Sequence, residues 1–119
     1  MVTAVTSLSR SGLSDWLVQR VTAVILLAFF GFVVARVLSG ITYAEWSGLF
    51  EQTWMKVFAL LAALSLAAHA WIGMWGVFTD YLTERLLGSK GNVMRISLQL
   101  ITSLSLVDYV IWAIQIIWS

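Results

Sequence analysis

The sequence predicts an all-α integral membrane protein with three transmembrane helices, in a single domain spanning residues 1–119. Three observations carry that expectation. Of 119 residues, 61% are hydrophobic and 11% charged, with a mean hydropathy of +0.92, and a soluble globule of this size could not bury so much apolar surface. Three stretches are each long enough to cross hydrocarbon, which takes about 20 mainly apolar residues in a helix. Proline is absent, so no span is broken or kinked by that residue.

The first span is expected from Trp16 to Leu38, centred on "VTAVILLAFFGFVVA". Its apolar part begins only behind Arg20, after a long polar lead, and no A-x-A site follows, so it is expected to stay as a span rather than be cleaved as a signal peptide. The connection "GITYAEWSGLFEQTWM", Gly40 to Met55, mixes aromatic residues with Glu45 and Glu51, as an interfacial segment dipping into the headgroups would. The second span is expected from Val57 to Thr79. It is followed by "TERLLGSKGN", a flexible turn in which Gly88 and Gly91 are expected to end helices. The third span is expected from Ile96 to Trp118. Trp16, Trp46, Trp54 and Trp118 fall near span ends, where indole rings are favoured.

Three spans put the amino terminus and the 80–95 loop on one side, with Arg10, Arg20, Arg85, Lys90 and Arg95; the other side has Arg36 and Lys56. The positive-inside rule makes the richer side cytoplasmic. A net charge of +1 without any basic run gives no nucleic-acid surface. The lack of cysteine excludes disulfides, thiolate zinc sites and cysteine-held iron–sulfur clusters made by this chain alone. One histidine leaves no self-contained zinc or non-haem iron centre.

That histidine, His69, lies inside the second span. On a helix, Ala62, Ser65, His69, Gly73, Gly76 and Asp80 share one face. Close helix packing accounts for the small residues. It accounts less well for an imidazole, which brings one N–H and one lone pair into hydrocarbon. Two readings are open. His69 hydrogen-bonds a neighbouring helix, or it is an axial ligand of a haem for which the glycines leave room. If it is haem, a six-coordinate bis-imidazole site needs a histidine this chain lacks, and Met74, on the same helix, cannot reach the opposite position. The second ligand must then come from another chain, in a helix bundle completed by a partner subunit.

Asp80 and Tyr81 end the second span. They read either as ordinary interface anchoring or as a pair in which the phenol hydrogen-bonds a polar ligand at the membrane surface and Asp80 orients it or relays protons. Arg20 is expected to set topology, and could also pair with a haem propionate. Asp108, in "SLVDYVIW", is either protonated or paired with a donor from a neighbouring subunit, because an unpaired carboxylate there costs several kcal/mol.

The stretch "HAWIGMWGVFTDY", residues 69–81, closely resembles the hallmark of the small, D-type hydrophobic membrane anchor of bacterial succinate dehydrogenase, or succinate:quinone oxidoreductase. The lead "SGLSDWLVQRVTAVIL", residues 11–26, is similar to the start of the same family, with its Gly-x-x-Asp and Arg-x-Thr-Ala elements. Chain length, span number and motif order agree over nearly the whole chain. The chain departs from the pattern at Ser14, where some relatives carry histidine, and in its longer "TERLLGSKGN" connection. The resemblance implies a subunit, not catalytic alone, of a four-part complex in the bacterial inner membrane. Its implied partners are a flavoprotein, an iron–sulfur subunit and a C-type cytochrome b subunit, together with ubiquinone and membrane lipid. By the same resemblance His69 is one axial ligand of haem b, shared with the cytochrome b subunit. Tyr81 donates to a ubiquinone carbonyl with Asp80 beside it, and Arg20 lies near the haem propionates. A fumarate reductase anchor and a non-redox membrane scaffold are the alternatives.

Overall fold

A computed structural model describes residues 12–82 and 84–119; Arg10 of the topology argument and Thr83 of the second connection lie outside the described residues. Among the described residues five helices follow in order: α1 (Gly12–Leu38), α2 (Tyr43–Glu51), α3 (Thr53–Tyr81), α4 (Glu84–Leu87) and α5 (Lys90–Ile117). Three of them, α1, α3 and α5, are long and apolar enough to cross a membrane.

These helices start earlier than hydropathy suggests, at residues 12, 53 and 90, because apolarity marks the hydrocarbon whereas a helix continues until something ends it. The 29 residues of α3 span about 44 Å at 1.5 Å each, enough to cross the headgroup regions as well. After α1, Gly40 takes φ +85° and turns the chain out of the helix. The interfacial connection then folds as α2, started by Thr42. Its side chain accepts the Glu45 N–H at 3.2 Å and also donates to Glu45 Oε1 at 3.1 Å. This Thr-x-x-Glu cap satisfies a helix-end donor that would otherwise be orphaned.

The second connection differs from the expected turn. Gly88, at φ +70°, does end a helix, the single turn α4. Gly91 does not; it is buried in the first turn of α5, its N–H on the Gly88 carbonyl at 3.1 Å. The helix restarts so soon after Gly88 that a second terminator has no place. Arg95 braces this corner, donating to Asn92 Oδ1 at 2.8 Å and to the Leu82 carbonyl, just past α3, at 3.5 Å.

The helix α3 lies between α1 and α5 and packs on both. Its contact with α1 is antiparallel. Phe32 meets Trp54 and Phe29 meets Phe58 edge to face, at centroid separations of 6.0 and 5.2 Å. Such pairs contribute about 0.5–1.5 kcal/mol each. The closest packing runs along the first half of α3, where Met55 is fully enclosed and Ala59, Ala62, Ala63 and Ser65 are buried. Small side chains there let the helices approach. Beyond Ser65 only Phe78 is buried on α3, and that half carries the site.

Candidate functional site

On α1, Asp15, Gln19 and Thr22 stand at i, i+4 and i+7, and Leu26, Phe29 and Val33 continue the same stripe toward the far end. Asp15 and Thr22 are 8% and 7% exposed, so this polar start of the stripe faces protein. Thr22 Oγ1 lies 2.7 Å from the Val18 carbonyl and 3.1 Å from that of Gln19, the usual return of a threonine proton to its own helix. Across the helix pair the same oxygen lies 3.1 Å from His69 Nδ1.

His69 stands two residues beyond the midpoint of α3, so it is deep in the bilayer. Its ring is half-buried. Nδ1 is engaged by Thr22, whereas Nε2 has no partner among the described residues and is not sealed from its surroundings. A hydrogen bond between transmembrane helices is worth about 0.6 kcal/mol, so Thr22 and His69 contribute little to holding α1 against α3. The aromatic and small-residue contacts nearer the other end do that.

The small-residue lane of α3 runs from cover to exposure. Ala62 and Ser65 are buried, His69, Gly73 and Gly76 are half-buried, and Asp80 is exposed. A Cβ built on Gly73 would meet nothing nearer than Gln19 Nε2 at 3.6 Å, and one on Gly76 would meet nothing within 4 Å. Both are ordinary or open spacings. Packing among the described residues therefore requires glycine at neither position, and close approach to α1 does not explain them. Gln19 Oε1, alongside, is buried without a hydrogen-bond partner among the described residues.

Asp80 and Tyr81 occupy the last turn of α3, 11 and 12 residues from His69, about 17 Å along the helix. Tyr81 is 65% exposed, so its phenol is open to a ligand from outside this chain. Arg20, two residues before Thr22 and so about 3 Å from it along the helix, is exposed on α1, with its guanidinium 5.1 Å from the Trp16 ring centroid. This cation–π contact draws it toward the helix start. The four residues singled out from sequence thus lie along one half of the α1–α3 pair, but in separate places. His69 is at mid-depth, Arg20 lies on an outer flank, and the Asp80–Tyr81 pair is at the rim.

Among the described residues no three histidine, aspartate or glutamate side chains gather as a metal site. A groove of about 440 Å³ lined by Ala67, Trp71, Ser103, Leu106, Val107, Val110 and Ile111 lies between α3 and α5, on the side of α3 away from His69. Its one hydroxyl, on Ser103, donates to the Gln99 carbonyl at 2.6 Å, which leaves little to orient a polar ligand. Sequence reasoning gave no role to Thr22 or Gln19. The signal for both was available in the i, i+4, i+7 spacing of Asp15, Gln19 and Thr22, which marks a protein-facing stripe on an otherwise apolar helix.

A family model described as succinate dehydrogenase/fumarate reductase transmembrane subunit matches residues 2–114. The succinate dehydrogenase hydrophobic membrane anchor subunit of Coxiella burnetii (strain RSA 493 / Nine Mile phase I) is 41% identical over 112 residues, covering 92% of this chain and 91% of that protein.

Proposed function

This chain belongs to the succinate dehydrogenase/fumarate reductase transmembrane subunit family, and from that premise we propose that His69 supplies one axial ligand of a haem b and that Tyr81 and Asp80 form part of a quinone site. The chain itself is a non-catalytic membrane anchor of a succinate dehydrogenase-type complex, a multi-pass protein of the bacterial inner membrane. Its partners in this proposal are a cytochrome b subunit carrying the second haem ligand, an iron–sulfur subunit and a flavoprotein, with ubiquinone and lipid as small partners.

The observation that carries the haem reading is His69 at mid-depth beside Gly73 and Gly76, two glycines that no contact among the described residues requires. A flat macrocycle needs both an imidazole and room along the helix. Haem b bound there supplies a one-electron carrier inside the bilayer. This chain's residues do the rest of what falls to it. His69 presents Nε2, the small lane keeps side chains clear of that nitrogen, and the exposed Arg20 is free to swing from Trp16 toward an anionic propionate.

At the rim, the amino-terminal and 80–95 end carries Arg20, Arg85, Lys90 and Arg95 against Arg36 and Lys56 at the other, which supports a cytoplasmic placement. A quinone there keeps its tail in lipid while its head group reaches the water-facing subunits. The Tyr81 hydroxyl donates to a quinone carbonyl and stabilises the negative charge that develops on that oxygen during reduction. Asp80, an exposed acceptor one residue away, orients the head-group surroundings or passes protons from the cytoplasmic water.

The test is the visible spectrum of the purified complex carrying His69→Ala. Loss or conversion of the low-spin, bis-imidazole spectrum is expected, and an unchanged spectrum removes His69 as the ligand. The Thr22 hydrogen bond favours a second reading, in which His69 only pairs α1 with α3 in a non-redox scaffold. Colourless native complex lacking a flavoprotein supports that alternative. A fumarate reductase anchor differs in the direction of electron flow, which assays of both directions on the purified complex distinguish.

A further inference from the structure

We propose that Thr22 is a positioning residue that fixes the tautomer of His69, holding the ring proton on Nδ1 so that Nε2 faces outward as a lone pair; this rests on the haem-ligand reading. A threonine hydroxyl has one proton to give and lone pairs to receive with. At Thr22 the closest acceptor for that proton is the Val18 carbonyl at 2.7 Å, with the Gln19 carbonyl at 3.1 Å as the alternative. Both belong to the same helix, and either one consumes the proton. What Oγ1 offers across the interface is therefore a lone pair. At 3.1 Å the contact with His69 becomes a hydrogen bond only if Nδ1 carries the hydrogen and donates it. The opposite tautomer would set two lone pairs against each other, or turn the hydroxyl away from its own helix.

Burial sharpens the choice. Thr22 is 7% exposed, so water cannot readily substitute for either partner. The bond back to the helix also pins the χ1 rotamer, so the hydroxyl is held toward α3 before any ligand arrives. Nε2 has no partner among the described residues, which leaves the metal-competent nitrogen on the uncovered edge of the ring. An acceptor on Nδ1–H also draws the ring toward imidazolate, strengthening donation from Nε2 and favouring ferric over ferrous iron. Thr22 thus orients the ligand and lowers the haem potential without touching the haem.

The experiment is a redox titration of haem b in the purified complex carrying Thr22→Val or Thr22→Ser. Valine keeps the shape and removes the acceptor. A roughly tenfold loss of preference for ferric haem is expected, an upward shift of ~59 mV for one electron, with the low-spin spectrum retained. Serine keeps the acceptor and should restore most of the native potential. An unchanged potential with valine overturns the proposal, and so does an equal shift with both variants, which would mean packing alone. His69→Ala separates the premise. If that variant loses the low-spin spectrum while Thr22→Val changes nothing, only the role of Thr22 falls; if it keeps the spectrum, the haem reading falls. Should Thr22→Val not assemble, the full native chain in lipid nanodiscs, labelled with 15N-histidine, gives the answer from its only histidine. A protonated Nδ1 and unprotonated Nε2 are expected, and the reverse tautomer overturns the proposal.

Discussion

A histidine in mid-span declares itself by residue type, because few side chains cost more to bury without a partner. Threonine does not, since it can return its proton to its own helix and sit almost anywhere in a span. That difference explains why His69 stands out by residue type alone, whereas Thr22 is marked only by its spacing from Asp15 and Gln19. The Asp80–Tyr81 pair stands between these cases. Its exposure at the end of α3 suits ordinary anchoring and ligand binding alike, and the proposal of a quinone site rests on the resemblance of residues 69–81. Tyr81→Phe separates the two. It should lower quinone reduction roughly tenfold or more, as losing one donor to a developing oxyanion does. Succinate oxidation with an artificial acceptor should hardly change, whereas equal losses in both assays would indicate defective assembly.

At the level of helices, hydropathy located all three spans and came within two residues of their far ends, but placed their starts too late. Residues such as Lys90, Gly91 and Asn92 are too polar for hydrocarbon yet continue α5 through the headgroup region. The short α2 carried a Thr-x-x-Glu start signal in plain view, and Thr42→Ala should fray it at a cost of about 1 kcal/mol, readable as faster amide exchange at Glu45 and Trp46. The glycine lane makes a stronger prediction. Because a Cβ at Gly76 meets nothing within 4 Å, Gly76→Leu should leave α1 and α3 paired while lowering the haem content of the complex severalfold. A variant with full haem content would show that the space beside Gly76 serves something else. The sequence could place these glycines on the histidine face, but could not tell whether α1 filled the space.

Across the whole molecule, 56 Å long and about 26 by 25 Å across, the three spans share a middle helix rather than a common core. Buried residues make up 6% of the apolar window of α1 and none of that of α5. Ser105, Asp108, Trp112 and Gln115 share one face of α5, and all are exposed. An outward aspartate near mid-bilayer costs about 2.5–3.5 kcal/mol on insertion scales. Asp108→Leu should therefore improve membrane insertion of the chain made alone, measured by glycosylation mapping of α5. It should also reduce retention of the other subunits during purification; full retention would mean that Asp108 does not contact them. No single-chain pattern could have shown this division, because it depends on which faces the neighbouring helices leave uncovered.

The middle position of α3 also orders events during synthesis. The contact between Thr22 and His69 requires only α1 and α3, both of which leave the ribosome before α5. Chains fold from the amino terminus as they emerge, so the histidine can take up its orientation while the last span is still being made. On the proposed haem reading, the protein would meet its partner with the imidazole already oriented, and the late-arriving α5 docks on another side of α3.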